Sequence, residues 1–589
     1  MKTNILKSLA VLAVGVFALS SCDKFLDRPA EDSFTTGDYY KTDAQVIAGT
    51  NYLYSSPWYD IIRFYIYDSE AMCGNVFLAN NAYHNLAVNG TDGDLKNMSY
   101  SLWAVNAQCN TVINNILAAD GNATEAVKNQ CIGECLAWKA MTYFFLVRTF
   151  GDVPIVHDNT SIIKENTYNT MQKVQKADVY EYIIMTLEKA LELLPKNAYI
   201  GKNNRIDYYA AEGLLAKVYL AKAGVSGTLN NDDLQKAVTY AKDVIENSGR
   251  KLTPKYSDIF RLEPTVYQQT GENLFSWQWT ATSGIWTCQN SIQCDVGLTG
   301  FSGLGDLWGD WTAPSVDLAD AFGVSATDCP TARASEKDTR RKATMMMFGD
   351  KYEYFWQDKG GFDFYRFFYD KEYAASNGSF GAATGANYCK HLFGNEYDHE
   401  LATGVSPSNM TNQLPTHILR LADIYLVAAE ALVLTGGDAL PYINAVRERA
   451  GVDALTSVTF EDVWKERRLE LALEGDRWYD FVRRSYYDLQ GCIDELYAQR
   501  RSYWDGLNDN YEAYVCDEQG NYVGPGASEW GSTGVEMTYN NSQELSAGSV
   551  KASIFSLPFP TEDEVQNPNM ATSAPAIHVD VRSEYKYNF

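Results

Sequence analysis

The sequence predicts a mostly α protein in which stacked helical pairs form the scaffold, one large irregular, loop-rich insertion interrupts it, and strands are few and short. Three observations lead there. Apolar residues recur at i, i+3, i+4 and i+7 over long windows, as in Leu421, Ile424, Tyr425, Ala428, Ala431 and Leu432. Helix-length segments of this kind follow one another from about residue 40 to 250 and again from about 415 to 480. Between Leu262 and Gln413 the periodicity nearly disappears, while Gly, Ser and aromatic residues rise. The expected division is a leader over 1–21, a tether over 22–40, a helical region over 41–261, the insertion over 262–414 and a carboxyl-terminal region over 415–589.

The amino end has the form of a secretory leader: Lys2 and Lys7, then an apolar run from Leu9 to Leu19 too short for a lasting membrane helix. Leu19-Ser-Ser-Cys22 places small residues before a cysteine, the pattern of a bacterial lipobox in which Cys22 becomes the lipid-modified first residue. With a formal charge of −26, the chain has no electrostatic attraction for nucleic acid or an anionic membrane surface, so acyl chains must provide the attachment. Thirteen Trp and forty Tyr are the more telling numbers, because flat rings with a polar edge suit sugar faces.

A helical pattern rich in aromatics runs from Tyr39 to about Tyr67. It gives way to a polar loop, Asn80 to Asp94, where Asn81 and Tyr83 supply the amide and the exposed ring that a sugar hydroxyl cluster needs. Asp92 and Asp94 lack the Glu that closes a calcium loop, so no metal is expected. Helices are predicted over Trp103–Leu117 and Glu125–Phe150, the second stopped by Gly151 and Pro154. Cys131 and Cys135 lie i, i+4 on its apolar face and read as core. Further helices follow over Lys176–Leu194, Ile206–Ala223 and Asp232–Glu246, with the small-and-aromatic rhythm of tetratricopeptide helix pairs, which must stack to bury both faces. The ten cysteines besides Cys22 are sparse and irregular. They are expected as mostly buried free thiols, with Cys288 and Cys294 the one pair whose loop context permits a bridge.

Within the insertion, Trp277 and Trp279 sit two apart, so on a short strand they share a face and are expected to be buried together. Leu298 to Trp311 spaces its rings with glycines, and loops this long in a compact protein usually carry function. Trp286, Trp308 and Trp311 are the expected exposed stacking rings, which with Asn81 and Tyr83 complete the candidate ligand-binding set.

From His417 to Leu432 a helix is predicted, then a hairpin through Thr435-Gly-Gly-Asp438 into Ala439–Ala450. A third helix, Glu461 to Glu474, opens at the capping box Thr459-Phe-Glu-Asp462. Glu466, Glu470 and Glu474 share a face of it beside Arg467 and Arg468. They read either as a catalytic carboxylate pair or as an ion-pair network that docks helices; the second fits better, since no His lies near.

Several motifs together resemble the SusD/RagB family. They are Cys22-Asp-Lys-Phe-Leu-Asp27, Gly133-Glu-Cys-Leu-Ala-Trp-Lys-Ala-Met-Thr-Tyr-Phe-Phe-Leu-Val-Arg-Thr-Phe-Gly-Asp-Val-Pro154, His417 to Glu430, Ile443 to Gly451, Glu466 to Asp480, and Pro558-Phe-Pro-Thr-Glu-Asp-Glu-Val-Gln-Asn-Pro568. Cys135, Trp138, Lys139, Phe150 and Asp563 depart from the family pattern without changing its periodicity. The resemblance implies a SusD-like α/α fold. It also implies a lipid-anchored outer-membrane protein of Bacteroidetes that binds nutrients, usually glycans, caps a TonB-dependent SusC-like transporter, and needs neither catalytic residues nor a cofactor. Two alternatives remain open from the residues: peptide cargo, as in the RagB branch, and a glycoside hydrolase with two carboxylates about 5–10 Å apart. The Trp content leans to glycan.

Overall fold

The computed structural model describes residues 39–196, 204–265, 271–282, 284–303, 309–374, 384–407 and 412–589. Its scaffold helices are α1 (Asp43–Asn51), α2 (Gly93–Ala118), α3 (Glu125–Phe150), α4 (Lys176–Leu193), α5 (Tyr208–Lys222), α6 (Asn231–Asn247), α7 (Leu421–Thr435), α8 (Leu440–Ala450), α9 (Phe460–Leu471) and α10 (Arg477–Ser485). The molecule is mostly helical, as the periodicity predicts.

Sequential neighbours pack on one another: α1 and α2 on α3, α3 on α4, α4 on α5, α5 on α6. The chain then leaves for the insertion and returns as α7, which lies against α6 and carries α8 and α9. Small side chains make that return possible. Ala422, Ala428, Ala429 and Ala431 are all fully buried and let the backbones approach closely. The central helix, α3, is buried on all sides from Cys131 to Phe150, as expected of a helix apolar around its whole circumference. Glu134, Arg148 and Lys139 are the charged exceptions; the first two are ion-paired, to Arg205 and Asp476, and Lys139 is held by neutral acceptors. Its ammonium donates to Asn110 Oδ1 and the His157 carbonyl, each at 2.7 Å, and burial lowers its pKa to about 7. Among the described residues no helix is long and apolar enough to cross a membrane.

Short two-stranded ladders tie the insertion to the scaffold. Asn273–Trp277 pairs antiparallel with Thr416–Arg420, and Val76–Leu78 with Thr312–Pro314. The first ladder corrects the helix expected to start at His417, because the β-partner only appears once the chain folds back. It also buries Trp277 and Trp279 together, their ring centroids 6.1 Å apart.

Two further expectations change. The aromatic helix over 39–67 ends as α1 at Asn51 and continues as 3₁₀ turns through Ser56–Ile61, with Pro57 at the start, and a π turn over Phe64–Asp68. The helix expected to reach Glu474 stops at Leu471, because groups from elsewhere take its last carbonyls: Arg420 bonds Glu470 O, Lys390 bonds Ala472 O (both 2.7 Å) and the His391 ring contacts Leu473 O at 2.6 Å. Leu473 then adopts a left-handed conformation, φ 63°. The Thr459–Asp462 capping box forms as predicted, with Asp462 Oδ2 accepting the Thr459 N–H at 2.8 Å. All ten described cysteines are free thiols, Cys288 and Cys294 included; only Cys329 is partly exposed.

Glu466, Glu470 and Glu474 are buried within an arginine network. Arg420 reaches Glu470 Oε1 (2.6 Å), Glu474 Oε2 (2.7 Å) and Glu272 Oε2 (3.1 Å); Arg340 and Arg447 hold Glu466 (2.5 and 2.7 Å), and Arg449 pairs with both Glu272 and Glu470. Every carboxylate of the row has a guanidinium partner. The docking network, not a paired acid and base, is what this face forms.

Candidate functional site

The candidate site is built on the 3₁₀ and π segment that follows α1. Tyr59, Arg63 and Tyr67 stand at i, i+4 and i+8, and Arg63 lies within electrostatic reach of both tyrosines. The π turn at Phe64–Asp68 carries Tyr67; single π turns inside helices are frequent at functional positions.

The insertion adds one indole beside each tyrosine. Trp286, on the 3₁₀ turn Trp286–Cys288, packs edge-on to Tyr59 (centroids 6.3 Å, planes at 66°) and keeps 56% of its surface exposed. A Ser56–Thr287 hydroxyl contact and the Thr280 N–H to Cys288 carbonyl bond (2.8 Å) hold that turn in place. Trp311 stands nearly perpendicular to Tyr67 (5.3 Å, 87°) and is 42% exposed. Its turn, Gly309–Trp311, is fastened by Gly309 N–H to Gly297 O at 3.1 Å and Thr299 N–H to Asp310 Oδ1 at 3.0 Å, and runs straight into the strand paired with Val76–Leu78.

Between the two indoles, half-exposed Arg63 donates to the buried Asp295 carboxylate at 3.0 Å. Burial works against the charged guanidinium, but Asp295 outweighs it and holds the Arg63 pKa above its usual value. Asp60 and Asp94 lie alongside, both raised by burial. The balance of fixed charge over this surface is therefore acidic. Chemically, it offers two flat apolar rings, the partly exposed Tyr59 phenol, a guanidinium and carboxylates, with the buried Tyr67 as backing for Trp311, a set matched to the faces and hydroxyls of a neutral saccharide longer than one sugar.

The predicted residues fare differently. Trp286 and Trp311 are exposed and come to the two ends of one surface. Tyr83 is a correction: the ring expected at the surface is 1% exposed, packs 5.7 Å from Phe64, and gives its hydroxyl to Asp92. Asp92 in turn caps α2, accepting the N–H groups of Asp94 and Leu95 at 3.0 Å. The loop thus turns inward because its phenol completes a helix cap. Asn81 is half-buried and spends its Oδ1 on the Tyr83 N–H (2.7 Å), shaping the same turn. Trp308 and Cys22 lie outside the described residues. Sequence reasoning missed Tyr59, Arg63, Tyr67 and Asp295, although the i, i+4, i+8 spacing of the first three was present.

A helical-repeat scaffold that displays an aromatic surface from a long insertion defines a class of binding protein. The sequence profile of the SusD family matches residues 310–571, and one described as starch-binding associating with outer membrane matches residues 25–220. The chain belongs to the SusD/RagB family. A SusD-like protein of Bacteroides ovatus is 29% identical over 574 residues, 95% of this chain and 96% of its own. The starch-binding protein SusD of Bacteroides thetaiotaomicron is 25% identical over 382 residues, covering 59% of this chain and 62% of its own. A crystal structure solved with xylogluco-oligosaccharide superposes with a TM-score of 0.73 at 26% identity, covering 92% of this chain and all of that one.

Proposed function

We propose that this chain is a cell-surface glycan-binding lipoprotein, anchored through Cys22, that captures neutral oligosaccharide and delivers it to a SusC-like TonB-dependent transporter of the outer membrane without cleaving it. One observation carries this reading: Trp286 and Trp311 project from opposite ends of the Tyr59–Arg63–Tyr67 trio, each braced by a tyrosine yet largely open to solvent. Family membership and the similarity to a chain crystallised with xylogluco-oligosaccharide support it, and a xylogluco-oligosaccharide is among the first ligands to test. The carboxylate row on α9 supports a non-catalytic role, since its members are buried in arginine pairs.

The test is calorimetric titration of the mature chain, from Asp23 onward, against plant, host and microbial polysaccharides, with product analysis of each mixture. Saturable binding without released sugar is expected. A ring stacked on a sugar contributes about 1 kcal/mol, so Trp286→Ala or Trp311→Ala should each weaken binding about five-fold while leaving the fold intact. Binding unaffected by both substitutions overturns the site, released sugar overturns the non-enzymatic reading, and no binding to any glycan moves the cargo to peptide.

A further inference from the structure

A cleft of about 860 Å³ lies beside the turn Pro330–Ser335, bordered by Lys255, Lys342, Tyr354 and Tyr365. A second cavity, of about 550 Å³, shares Arg333, Glu336 and Asp338 with it. All three guanidinium nitrogens of Arg333 are closed off from solvent, and none has a hydrogen-bond partner. Every other described arginine has one or more. Even Arg501, without a carboxylate, donates to the Ala71 and His84 carbonyls.

Three of the acids around Arg333 are already engaged by other arginines. Arg341 takes Glu336 (2.6 Å) and Asp350, and Arg340 takes Asp338 (2.7 Å). A guanidinium withdrawn from water with no counter-charge is an unfavourable arrangement, and an incoming anion relieves it. In a chain of net charge −26, a cleft in which Arg333 and Lys342 outweigh the exposed Glu353, with Lys255 at its solvent edge, is selective by sign.

We propose that this cleft is an oxyanion-binding site, separate from the tryptophan surface, in which Arg333 turns to pair with the two oxygens of a carboxylate or sulfate. The cleft is much larger than an inorganic ion, so there is room for the anion to arrive on an acidic sugar; a free anion presents the same oxygens. The tryptophan surface carries Asp60, Asp94 and Asp295 and suits neutral saccharide, so the two sites divide ligands by charge.

The experiment titrates the mature chain at low ionic strength with D-glucuronate, inorganic sulfate and, as neutral control, D-glucose. The variants are Arg333→Met and Trp311→Ala. Glucuronate should bind, weaken as salt rises, lose at least ten-fold in affinity in Arg333→Met and bind unchanged in Trp311→Ala. Glucose should not bind the cleft. Glucuronate binding tighter than sulfate assigns the acidic sugar; equal or tighter sulfate binding, lost in Arg333→Met, assigns the free anion. Arg333→Met should melt no lower than the parent, because it removes an unpaired charge. A marked fall in melting temperature gives Arg333 a structural role and overturns the site, as does anion affinity unchanged by the substitution or no anion binding at all. Loss of glycan binding in Trp311→Ala with anion binding kept separates the two sites.

Discussion

Replacing Arg420 with alanine isolates what the carboxylate row is for. The guanidinium is 1% exposed and makes charged contacts of 2.6–3.1 Å with Glu470, Glu474 and Glu272, plus a 2.7 Å bond to the Glu470 carbonyl at the end of α9. After substitution, Arg449 still pairs Glu272 and Glu470, and Lys390 still reaches Glu474 at 2.8 Å, so no acid is wholly abandoned. Three buried carboxylates nevertheless share fewer positive charges, and the Glu470 carbonyl keeps only the Tyr256 hydroxyl of its two side-chain donors. Breaking a buried pair on one side costs about 3–5 kcal/mol, and the remaining cations put Arg420→Ala toward the lower end of that range. The control is Arg500→Ala, whose pair with Asp320 is about one-third exposed on each side and is worth at most about 1 kcal/mol. Urea unfolding followed by circular dichroism, with glycan titration of each folded variant, measures both effects. If Arg420→Ala is no more destabilising than Arg500→Ala, the network reasoning is wrong. If it is stable and loses a catalytic turnover present in the parent, the row is an active site.

Tyr83→Phe removes the hydroxyl from Asp92 in a buried setting and should cost about 1–3 kcal/mol in the same urea assay, with glycan affinity unchanged; a binding defect without a stability loss would return Tyr83 to the ligand surface. Stability should fall as pH drops from about 6.5 to 4. His84 accepts the Leu78 N–H at Nδ1 (3.4 Å) and meets the Gln543 carbonyl at Nε2 (2.9 Å), an arrangement of the neutral ring, and burial with Arg501 nearby lowers its pKa to about 4. The unfolded chain therefore binds a proton across that window while the folded chain does not, and acid favours unfolding. His84→Gln should reduce the slope of stability against pH there, and an unaltered profile counts against it. At lower pH a second loss is expected, from about 4.5 to 2: burial raises the Glu474 carboxyl, but Arg420 and Lys390 outweigh it and set it at about 2, so its protonation is resisted until the pair breaks. In Lys390→Met the folded-state pKa of Glu474 rises, so the acid limb of a urea-midpoint series should become smaller and level off at higher pH, and an unaltered limb refutes the assignment.

Local signals carried much of the scaffold. α3 begins and ends at the predicted residues because a long, largely apolar helix stopped by Gly151 needs no distant information, and Thr459 with Asp462 fixes the start of α9 from four residues. What failed depended on partners far away in sequence. Thr416–Arg420 is apolar enough for either a helix or a strand, and only Asn273–Trp277 decides. Tyr83 sits in a polar loop that reads as exposed, and its burial follows from the cap that Asp92 makes on α2. At the candidate site, exposure of Trp286 and Trp311 was legible from glycine-rich, aperiodic surroundings. The supporting Tyr59–Arg63–Tyr67 trio was hidden in a run of aromatics where core and surface rings carry the same letters.

The ladder between Asn273–Trp277 and Thr416–Arg420 brings the two ends of the insertion side by side. Seen from the scaffold, everything between Gln278 and Pro415 is one excursion that departs and returns at the same doorway. The entropy of closing such an excursion grows only slowly with its length, so its solvent-facing turns can be shortened, lengthened or exchanged at little cost as long as Arg340, Lys390, His391 and Thr312–Pro314 keep their contacts with the scaffold. A transplant cut at those two strands should carry Trp286 and Trp311 into a related scaffold that also supplies the Tyr59 and Tyr67 braces and the carboxylates that meet Arg340 and Lys390.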